Sequence, residues 1–289
     1  MIQQHSLRQV IDRAVAVLSA AGIDSPRNDA EFLAAHVAGT DRGRLPLIDI
    51  SGDDFINRFD AVIAQRCRRI PLQHIIGTAA FGPLQLRVGP GVFIPRPETE
   101  AVLEWAQRQR VRPNSVVVDL CTGSGALAIA LSRQWPDARV IGVDDDPVAL
   151  GYARDNAEFA RTGTEFVLGD VTDPGLLPEL AGRVSLVVAN PPYIPAAATL
   201  QPEVDQHDPH HGLFGGTDGM AVIGPIVTLA AGWLEPCGII AIEHDDTTSV
   251  QTMDLFRAAG HFGDVTARKD LTGRPRFVTA SRRDSEEAR

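Results

Sequence analysis

The hydrophobic pattern of the first quarter of the chain has a helical period. From residue 6 to about residue 77, apolar side chains recur at three- and four-residue steps, as they do on one face of an α-helix. Gly22 ends the first such stretch, and Asp24-Ser25-Pro26 offers a cap and an early proline for a second. A third helix is predicted to start after Ser51-Gly52-Asp53. The pattern therefore predicts a small helical bundle.

The pattern changes after the bundle. Leu84, Leu86 and Val88 alternate with polar residues between turns rich in glycine and proline, which predicts a β-hairpin. Short apolar runs of the buried-strand type then alternate with helical stretches. These runs are Val116–Val118, Val140–Val143, Phe166–Leu168, Leu186–Ala189 and Ile239–Ile242. Such alternation predicts a doubly wound, mostly parallel α/β sheet.

Two final segments, at about 263–269 and 275–281, are predicted to add an antiparallel hairpin at the edge of this sheet. We therefore expect three parts. They are a helical domain (1–78), a β-hairpin linker (79–100) and a Rossmann-like α/β domain (101–289).

Composition and charge narrow the class of protein. The 289 residues are 44% hydrophobic and 22% charged, which is typical of packed globular domains. The formal net charge of −10 lies entirely in residues 81–289, because residues 1–80 hold nine arginines and nine acidic residues. This excess argues against bare nucleic acid or an anionic membrane as the main partner. Three widely separated cysteines favour a reducing cytoplasm and give no structural zinc site.

A glycine-rich loop follows the first predicted strand of the sheet. Asp119-Leu120-Cys121-Thr122-Gly123-Ser124-Gly125 would let the backbone approach a ligand at the start of a helix. Asp144 comes 21 residues after Gly123, at the end of the second strand, where its carboxylate could accept from ribose hydroxyls. Asp170-Val171, after the third strand, could flank an adenine. The loop alone fits both a nicotinamide dinucleotide and S-adenosylmethionine.

The segment Asn190-Pro191-Pro192-Tyr193 decides between those cofactors. Two prolines after a buried strand remove backbone donors and fix the chain direction, so the Asn190 side-chain oxygen and the Pro191 carbonyl point outward as acceptors. Both can grip one planar NH2 group and aim its lone pair at an incoming methyl carbon. Tyr193 offers a ring for stacking on a flat substrate. A dehydrogenase has no use for this arrangement.

With these two motifs together, the chain resembles amino-group methyltransferases that use S-adenosylmethionine. Further segments resemble one branch, the protein-(glutamine-N5) methyltransferases of peptide chain release factors (the HemK/PrmC family). They are Pro71–Gly77, Phe93–Glu100, Gly215–Gly219, Ile242–His244 and Lys269–Arg274, and the resemblance runs in collinear order over about residues 70–281.

The resemblance implies a class I methyltransferase fold and methyl transfer from S-adenosyl-L-methionine to the glutamine amide of a Gly-Gly-Gln motif, with S-adenosyl-L-homocysteine as product. Asn190, Pro191 and Tyr193 would be catalytic. The implied cofactor-binding residues are Asp119, Cys121, Thr122, Gly123, Ser124, Gly125, Asp144, Asp170, Val171 and Asn190. The implied substrate-binding residues are Asn190, Pro191, Pro192, Tyr193, Phe93, Arg96 and Glu98. Release factors are the expected partners, with a cytoplasmic monomer, no direct nucleic-acid target, no membrane and no metal.

Two other functions stay open at this point. An adenine-N6 methyltransferase of nucleic acid also holds a planar amine, although the negative charge and the lack of a basic recognition domain disfavour it. A non-catalytic scaffold that binds cofactor is the other, and the presence of Asn190, Asp119 and Asp144 disfavours it. For Glu98, a role as a plain carboxylate at a helix N-terminus is equally open. For Arg96, a surface ion pair is the alternative to a role in binding substrate.

Three further features complete the expectations. Cys121 stands where the family often has glycine, which we take as a tolerable change. The His-rich stretch 205–211 is expected to be a solvated loop. Arg66, Arg68 and Arg69 of the helical domain are hypothesised to dock an acidic face of the release factor, since arginine offers bidentate donors for carboxylates.

Overall fold

The structure is a computed structural model that describes residues 6–48 and 53–284. The helices are α1 (Leu7–Ala20), α2 (Pro26–Ala38), α3 (Asp53–Cys67), α4 (Leu72–Ile76), α5 (Glu100–Gln107), α6 (Ala126–Gln134), α7 (Pro147–Ala160), α8 (Pro202–His207), α9 (Ile223–Trp233) and α10 (Ser249–Ala259). The strands are β1 (Thr78–Phe81), β2 (Leu84–Arg87), β3 (Val116–Leu120), β4 (Arg139–Asp144), β5 (Glu165–Leu168), β6 (Val184–Ala189), β7 (Leu234–Glu243), β8 (Phe262–Lys269) and β9 (Pro275–Arg282).

These elements form two compact units. The helical unit holds the described residues up to Thr78 together with Leu200–His207. The α/β unit holds Ala79–Thr199 and the described residues from Asp208 onward. The helical unit is therefore built from two separate stretches of chain, whereas the sequence suggested one.

The helical unit confirms the predicted bundle. Ser6 caps α1 in a capping box, in which its hydroxyl accepts from the Gln9 N–H and the Gln9 side chain accepts from the Ser6 N–H. Leu18, Leu33 and Phe59 are fully buried and bring α1, α2 and α3 onto one core. The third helix was predicted to start after Asp53, and α3 begins at Asp53 itself; Ser51 and Gly52 lie outside the described residues.

A cluster of buried ion pairs joins α8 to the rest of the helical unit. The guanidinium of Arg66 donates to Asp29 Oδ2 at 2.7 Å and to Glu203 Oε1 at 2.8 Å, and its side chain is only 9% exposed. Arg69 donates to the other oxygen of Glu203 at 2.6 Å. Arg66 and Arg69 are therefore already paired within the protein, which disfavours them as docking donors, whereas Arg68 is exposed.

The α/β unit has a seven-stranded sheet in the order β5-β4-β3-β6-β7-β9-β8. Strands β3 to β7 pair in parallel, while β9 runs antiparallel to both β7 and β8. The five predicted strands and the antiparallel edge hairpin are thus confirmed. The strand order reverses beside β3, which has β4 on one side and β6 on the other. Ligands of open α/β sheets bind beyond the carboxyl ends of the strands at such a point.

Helices cover both faces of this sheet. Successive side chains of a strand point to opposite faces, and Val117 and Val118 accordingly enter different clusters of buried residues. One cluster contains α5 and α6, and the other contains α9 and Phe256 of α10. Strands buried on both faces explain why the sequence showed continuous apolar runs.

Across residues 6–48 and 53–284, no helix combines the length and the apolar character that crossing a membrane requires.

Candidate active site

A cavity of about 270 Å³ opens at the carboxyl ends of β3, β4 and β6 within the α/β unit. Most of the residues that the sequence assigned to a site line it. They are Phe93, Asp119, Cys121, Thr122, Gly123, Ser124, Asp144, Asp170, Val171, Asn190 and Pro192. The other predicted site residues, Gly125, Pro191, Tyr193, Arg96 and Glu98, are not part of the lining.

The buried carboxylate of Asp119 has one oxygen that accepts hydrogen bonds and one that has no hydrogen-bond partner among the described residues. Its Oδ2 accepts from the Thr122 hydroxyl at 2.6 Å and from the Ala128 N–H at 3.0 Å. Its Oδ1 is buried and has no hydrogen-bond partner among the described residues. Burial raises the pKa of Asp119 to about 7, with a smaller contribution from Asp144, while the two hydrogen bonds oppose the rise. An unpaired buried oxygen of this kind suits a cationic ligand group.

Asp144 is held by the loop that faces it. Its Oδ2 accepts from the Gly123 N–H at 2.8 Å, and its Oδ1 accepts from the Asp146 N–H at 3.0 Å. Burial raises the pKa of Asp144 in spite of these bonds. Because a carboxylate has about four lone-pair positions, two remain for a pair of vicinal hydroxyls.

Cys121 occupies a backbone conformation that glycine prefers. Its φ is 58°, in the left-handed region, where a non-glycine residue costs about 1–2 kcal/mol. The replacement of glycine is thus less neutral than the sequence suggested. Burial, followed by the negative field of Asp144, raises the thiol pKa well above its usual range, so the thiol is not a nucleophile.

Asn190 follows β6 and has its side-chain amide anchored on one side. Its Nδ2 donates to the Thr99 hydroxyl at 3.0 Å, and Thr99 is 4% exposed. The amide nitrogen is therefore engaged by Thr99, which also lines the cavity, and Oδ1 is the atom left to accept from a ligand. Pro191 is buried, and Pro192 forms part of the wall.

Tyr193 turns away from the cavity, although stacking on substrate was expected. Its hydroxyl donates to Glu243 Oε1 at 2.8 Å, and its ring packs against the core. Burial and the neighbouring Glu243 raise the pKa of the Tyr193 hydroxyl, so that it stays a donor. The ring therefore supports the segment from behind.

Glu243 is a buried carboxyl at the end of β7, with 1% exposure. Burial raises its pKa to about 7, whereas the hydroxyls of Tyr193 and Thr99 and the charge of Arg276 oppose that rise. Arg276 is itself paired with Asp270, at 3.3 Å. Glu243 Oε1 thus anchors Tyr193, whereas its Oε2 has no hydrogen-bond partner among the described residues.

Arg96 packs against Phe93, a residue of the cavity wall. Its guanidinium lies 5.0 Å from the centre of the Phe93 ring and forms an ion pair with the buried Asp208. Burial raises the pKa of Asp208 to about 6, although Arg96 opposes this. Of the two possibilities for Arg96, the ion pair is the one observed. Glu98 lies in a short 3-10 turn, Pro97–Thr99, outside the cavity lining.

The His-rich stretch 205–211 is not an irregular loop, and that part of the prediction is wrong, although His210 and His211 are exposed as expected. It contributes the end of α8, the buried Asp208 and a 3-10 turn, His210–Gly212. His211 lines the cavity, with its Nε2 3.6 Å from Asp145 Oδ1. Asp144, Asp145 and His211 bring their ligand atoms within 4.8 Å of one another. The apolar residues that pack against this stretch, such as Phe214 against His210, form too short a pattern in the sequence to predict its structure.

Glycine is required behind the Asn-Pro-Pro-Tyr segment. Gly219 has a φ of 81°, and a Cβ there would lie 2.2 Å from the carbonyl oxygen of Tyr193. The segment is further fixed by a short parallel bridge, in which the Ile194 N–H donates to Leu213 and the Gly215 N–H donates to Ile194. The Gly215–Gly219 stretch therefore supports the segment sterically.

The parallel sheet with its antiparallel edge hairpin, and a cavity bordered by the acidic ends of β3 and β4, define a class I methyltransferase fold. Comparisons with known proteins agree. Residues 9–77 match the family described as the PrmC N-terminal domain, and residues 117–201 match a methyltransferase domain family. The release factor glutamine methyltransferase of Mycobacterium tuberculosis (strain ATCC 25618 / H37Rv) is 60% identical over 281 residues, covering 96% of this chain and 92% of the relative. The chain belongs to the release factor glutamine methyltransferase family.

More distant relatives extend the comparison. The release factor glutamine methyltransferase of Streptomyces coelicolor is 44% identical over 93% of this chain and 96% of its own. A 16S rRNA N2 G1207 methyltransferase of T. thermophilus, solved in complex with AdoMet and guanosine, has a TM-score of 0.52 at 22% identity, covering 71% of this chain and 50% of that one. A Pyrococcus furiosus methyltransferase has a TM-score of 0.52 at 17% identity, covering 76% and 100%. These two structures share the fold alone.

Proposed function

We propose that this protein transfers a methyl group from S-adenosylmethionine to the side-chain amide nitrogen of the glutamine in the Gly-Gly-Gln motif of peptide chain release factors. The observation that carries the proposal is the position of Asn190. Its amide nitrogen is tied to Thr99, and the residue shares one cavity with the carboxyl groups of Asp119 and Asp144. The relatives named release factor glutamine methyltransferase support the choice of substrate.

The carboxyl groups of the cavity suit S-adenosylmethionine. The unpaired Oδ1 of Asp119 would accept from the ammonium of the amino-acid end, and Asp144 would accept from the ribose hydroxyls. Asp170 and Val171 would border the adenine. The ordinary carboxyl pKa of Asp170 is lowered by the N–H and hydroxyl of Thr172, so it is an ionised acceptor. When bound, S-adenosylmethionine supplies an electrophilic methyl group on a sulfonium, and the neutral thioether left behind, S-adenosylhomocysteine, is a good leaving group.

The residues after β6 would activate the glutamine amide. A planar amide nitrogen is a poor nucleophile, because its lone pair is delocalised. Asn190 Oδ1 and the Pro191 carbonyl would accept its two N–H groups, hold it in place and favour the rehybridised form. Asn190 and the backbone of Pro191 thus orient the nucleophile, while Phe93 and Pro192 narrow the cavity around it.

Proton removal needs no strong base in this scheme. Methyl transfer makes the amide nitrogen cationic and strongly acidic, so its proton can leave to water. The thiol of Cys121 and the hydroxyl of Tyr193 both have raised pKa values and stay protonated. Positioning, rather than general base catalysis, is therefore the main contribution of these side chains.

Methyl-labelled S-adenosylmethionine tests the proposal directly. The protein is incubated in parallel with a release factor, the same factor with Gly-Gly-Ala in place of Gly-Gly-Gln, duplex DNA and RNA. Label is expected on the intact release factor only. Label on DNA or RNA alone would instead assign an adenine-N6 activity, and no transfer together with tight cofactor binding would indicate a scaffold.

Asn190→Ala separates substrate positioning from cofactor binding. Transfer should fall by at least about 100-fold, while the Kd for S-adenosylmethionine stays within about tenfold of the wild type, because the lost group grips the substrate. Gln251→Ala is a matched control, since it removes an exposed amide from α10. Unchanged turnover in Asn190→Ala would show that the segment is structural.

A further inference from the structure

A buried asparagine of α7 joins two parts of the α/β unit that border the cavity. The side chain of Asn156, a residue that is 1% exposed, makes three hydrogen bonds to backbone atoms. Its Nδ2 donates to the carbonyls of Ser124 and Arg87, each at 3.0 Å, and its Oδ1 accepts from the Arg87 N–H at 2.7 Å. Both donors of the amide are thus used. Asn156 is not part of the cavity lining, so it acts on the cavity only through these neighbours.

The first neighbour belongs to the glycine-rich loop between β3 and α6. Ser124 lines the cavity and is 2% exposed. The next residue, Gly125, has a φ of 83°, and a Cβ there would lie 3.2 Å from Ala153 of α7. The loop therefore lies directly against α7, and the bond from Asn156 fixes the loop backbone at Ser124. This is the loop that would hold the methionine part of S-adenosylmethionine.

The second neighbour begins the segment that leads to Phe93. Arg87 ends β2, and Asn156 pairs with both its N–H and its carbonyl, as an adjacent strand would. The chain beyond Arg87 then packs against α7 in a small apolar cluster. The cluster consists of Ala79, Val88, Val92, Ile94, Ala149 and Tyr152. Phe93 lies in sequence between two of these buried residues and lines the cavity, so α7 determines where its ring stands.

We propose that Asn156 is a positioning residue that couples the two sides of the cavity, so that cofactor held by the loop at Ser124 also orders the segment from Arg87 to Phe93. The inference rests on the proposed function and deepens it, because Phe93 is the part of the wall that would narrow around the glutamine. Ordering one tethered segment lowers the entropy cost of ordering the other. Bound cofactor should therefore strengthen the binding of the release factor.

Hydrogen exchange of the Arg87 amide measures this coupling without any variant, because its acceptor is Asn156 Oδ1. S-adenosylhomocysteine serves as the ligand. At saturation it should slow exchange of the Arg87 amide in the wild type at least about threefold, as measured by NMR. The Arg139 amide is the internal control, since it donates to the Ser115 carbonyl at the amino ends of β3 and β4, and its exchange should not change.

Asn156→Asp removes the two donors but keeps the shape and the acceptor for the Arg87 N–H. Its carboxylate would face the carbonyl oxygens of Ser124 and Arg87. The Kd for S-adenosylmethionine should rise about 5- to 50-fold, and KM for the release factor at least about threefold. The kcat with both substrates saturating should stay within about threefold, because Asn156 touches no reacting group. Arg154→Gln is the matched control, since it makes the same change in charge on the exposed side of α7 and should leave all three constants unchanged.

The exchange experiment also decides the case in which Asn156→Asp does not fold. Slower exchange at Arg87 in the wild type, lost in Asn156→Asp where that variant folds, supports the coupling. Exchange at Arg87 that S-adenosylhomocysteine leaves unchanged would overturn it, as would a variant that loses kcat at wild-type Kd and KM. If the wild type binds cofactor but does not methylate the release factor, the proposed function fails, whereas slower exchange at Arg87 would still support the link between loop and segment.

Discussion

Asp119 should make the affinity for S-adenosylmethionine depend on pH. Burial raises its pKa to about 7, so below that pH the carboxyl of the free protein is mostly protonated and neutral. A cationic ammonium next to Oδ1 favours the ionised form, so that cofactor binding at low pH releases a proton. The affinity should therefore rise as the pH rises toward the pKa of Asp119.

The size of this effect follows from the pKa. Protonation of one group with a pKa of about 7 weakens binding by a factor of about 11 at pH 6 and about 1.3 at pH 7.5. The amino group of the ligand begins to lose its own charge near pH 8, which removes part of the gain. We expect binding about five- to tenfold tighter at pH 7.5 than at pH 6. Asp144, whose pKa is also raised, acts in the same direction.

Isothermal titration calorimetry in buffers of different ionisation enthalpy measures both quantities. About one proton should be released per ligand at pH 6, and clearly fewer at pH 7.5. Asp119→Asn should bind more weakly at pH 7.5 and lose most of the pH dependence. 5′-Methylthioadenosine, which lacks the amino-acid end but keeps the ribose, serves as a control ligand whose affinity should increase clearly less over this range, because only the contribution of Asp144 remains. Equal affinities at both pH values, or an unchanged slope in Asp119→Asn, would refute the reasoning.

Three further predictions concern the supports of the cavity and the helical unit. Gly219→Ala should reduce methyl transfer at least about tenfold. The new Cβ would lie 2.2 Å from a carbonyl oxygen of the Asn-Pro-Pro-Tyr segment, and the φ of 81° disfavours alanine. Kinetics equal to the wild type would contradict this prediction. Asp208→Asn should raise KM for the release factor about three- to tenfold, because it leaves the Arg96 charge unpaired beside the cavity wall. An unchanged KM would show that the Arg96–Asp208 ion pair does not contribute to substrate binding. Glu203→Gln should lower the free energy of unfolding, measured in urea titrations, by about 1–3 kcal/mol. The loss is limited to this range because Arg66 keeps its ion pair with Asp29. Stability equal to the wild type would show that the Glu203 contact is dispensable.

The strands and the helices were accessible from the sequence because they depend on local periodicity. Buried parallel strands produce apolar runs, and these located β3 to β7. The runs ended before Asp119, which is the last but one residue of β3, and before Asp144, which is the last residue of β4. The residues that line the cofactor side of the cavity could also be predicted, because they lie at the carboxyl ends of parallel strands, where ligands of such sheets bind.

The supports of the site were not accessible in this way, because they join residues far apart in the chain. Thr99 is 91 residues from Asn190, and Glu243 is 50 residues from Tyr193. A threonine before a helix predicts a cap, yet the Thr99 side chain makes no capping bond to α5. Tyr193 was for the same reason expected to face the substrate, since no local pattern shows which side of a loop is packed.

The split construction of the helical unit has a consequence for modularity. Its last helix, α8, is encoded more than 120 residues after the others, so a gene fragment ending at Thr78 lacks the carboxylate that Arg66 and Arg69 share. During synthesis, the ribosome must deliver most of the α/β unit before that partner exists. The N-terminal domain is thus not a cassette that recombination could move intact to another enzyme, because an exchange would have to carry residues 200–207 with it.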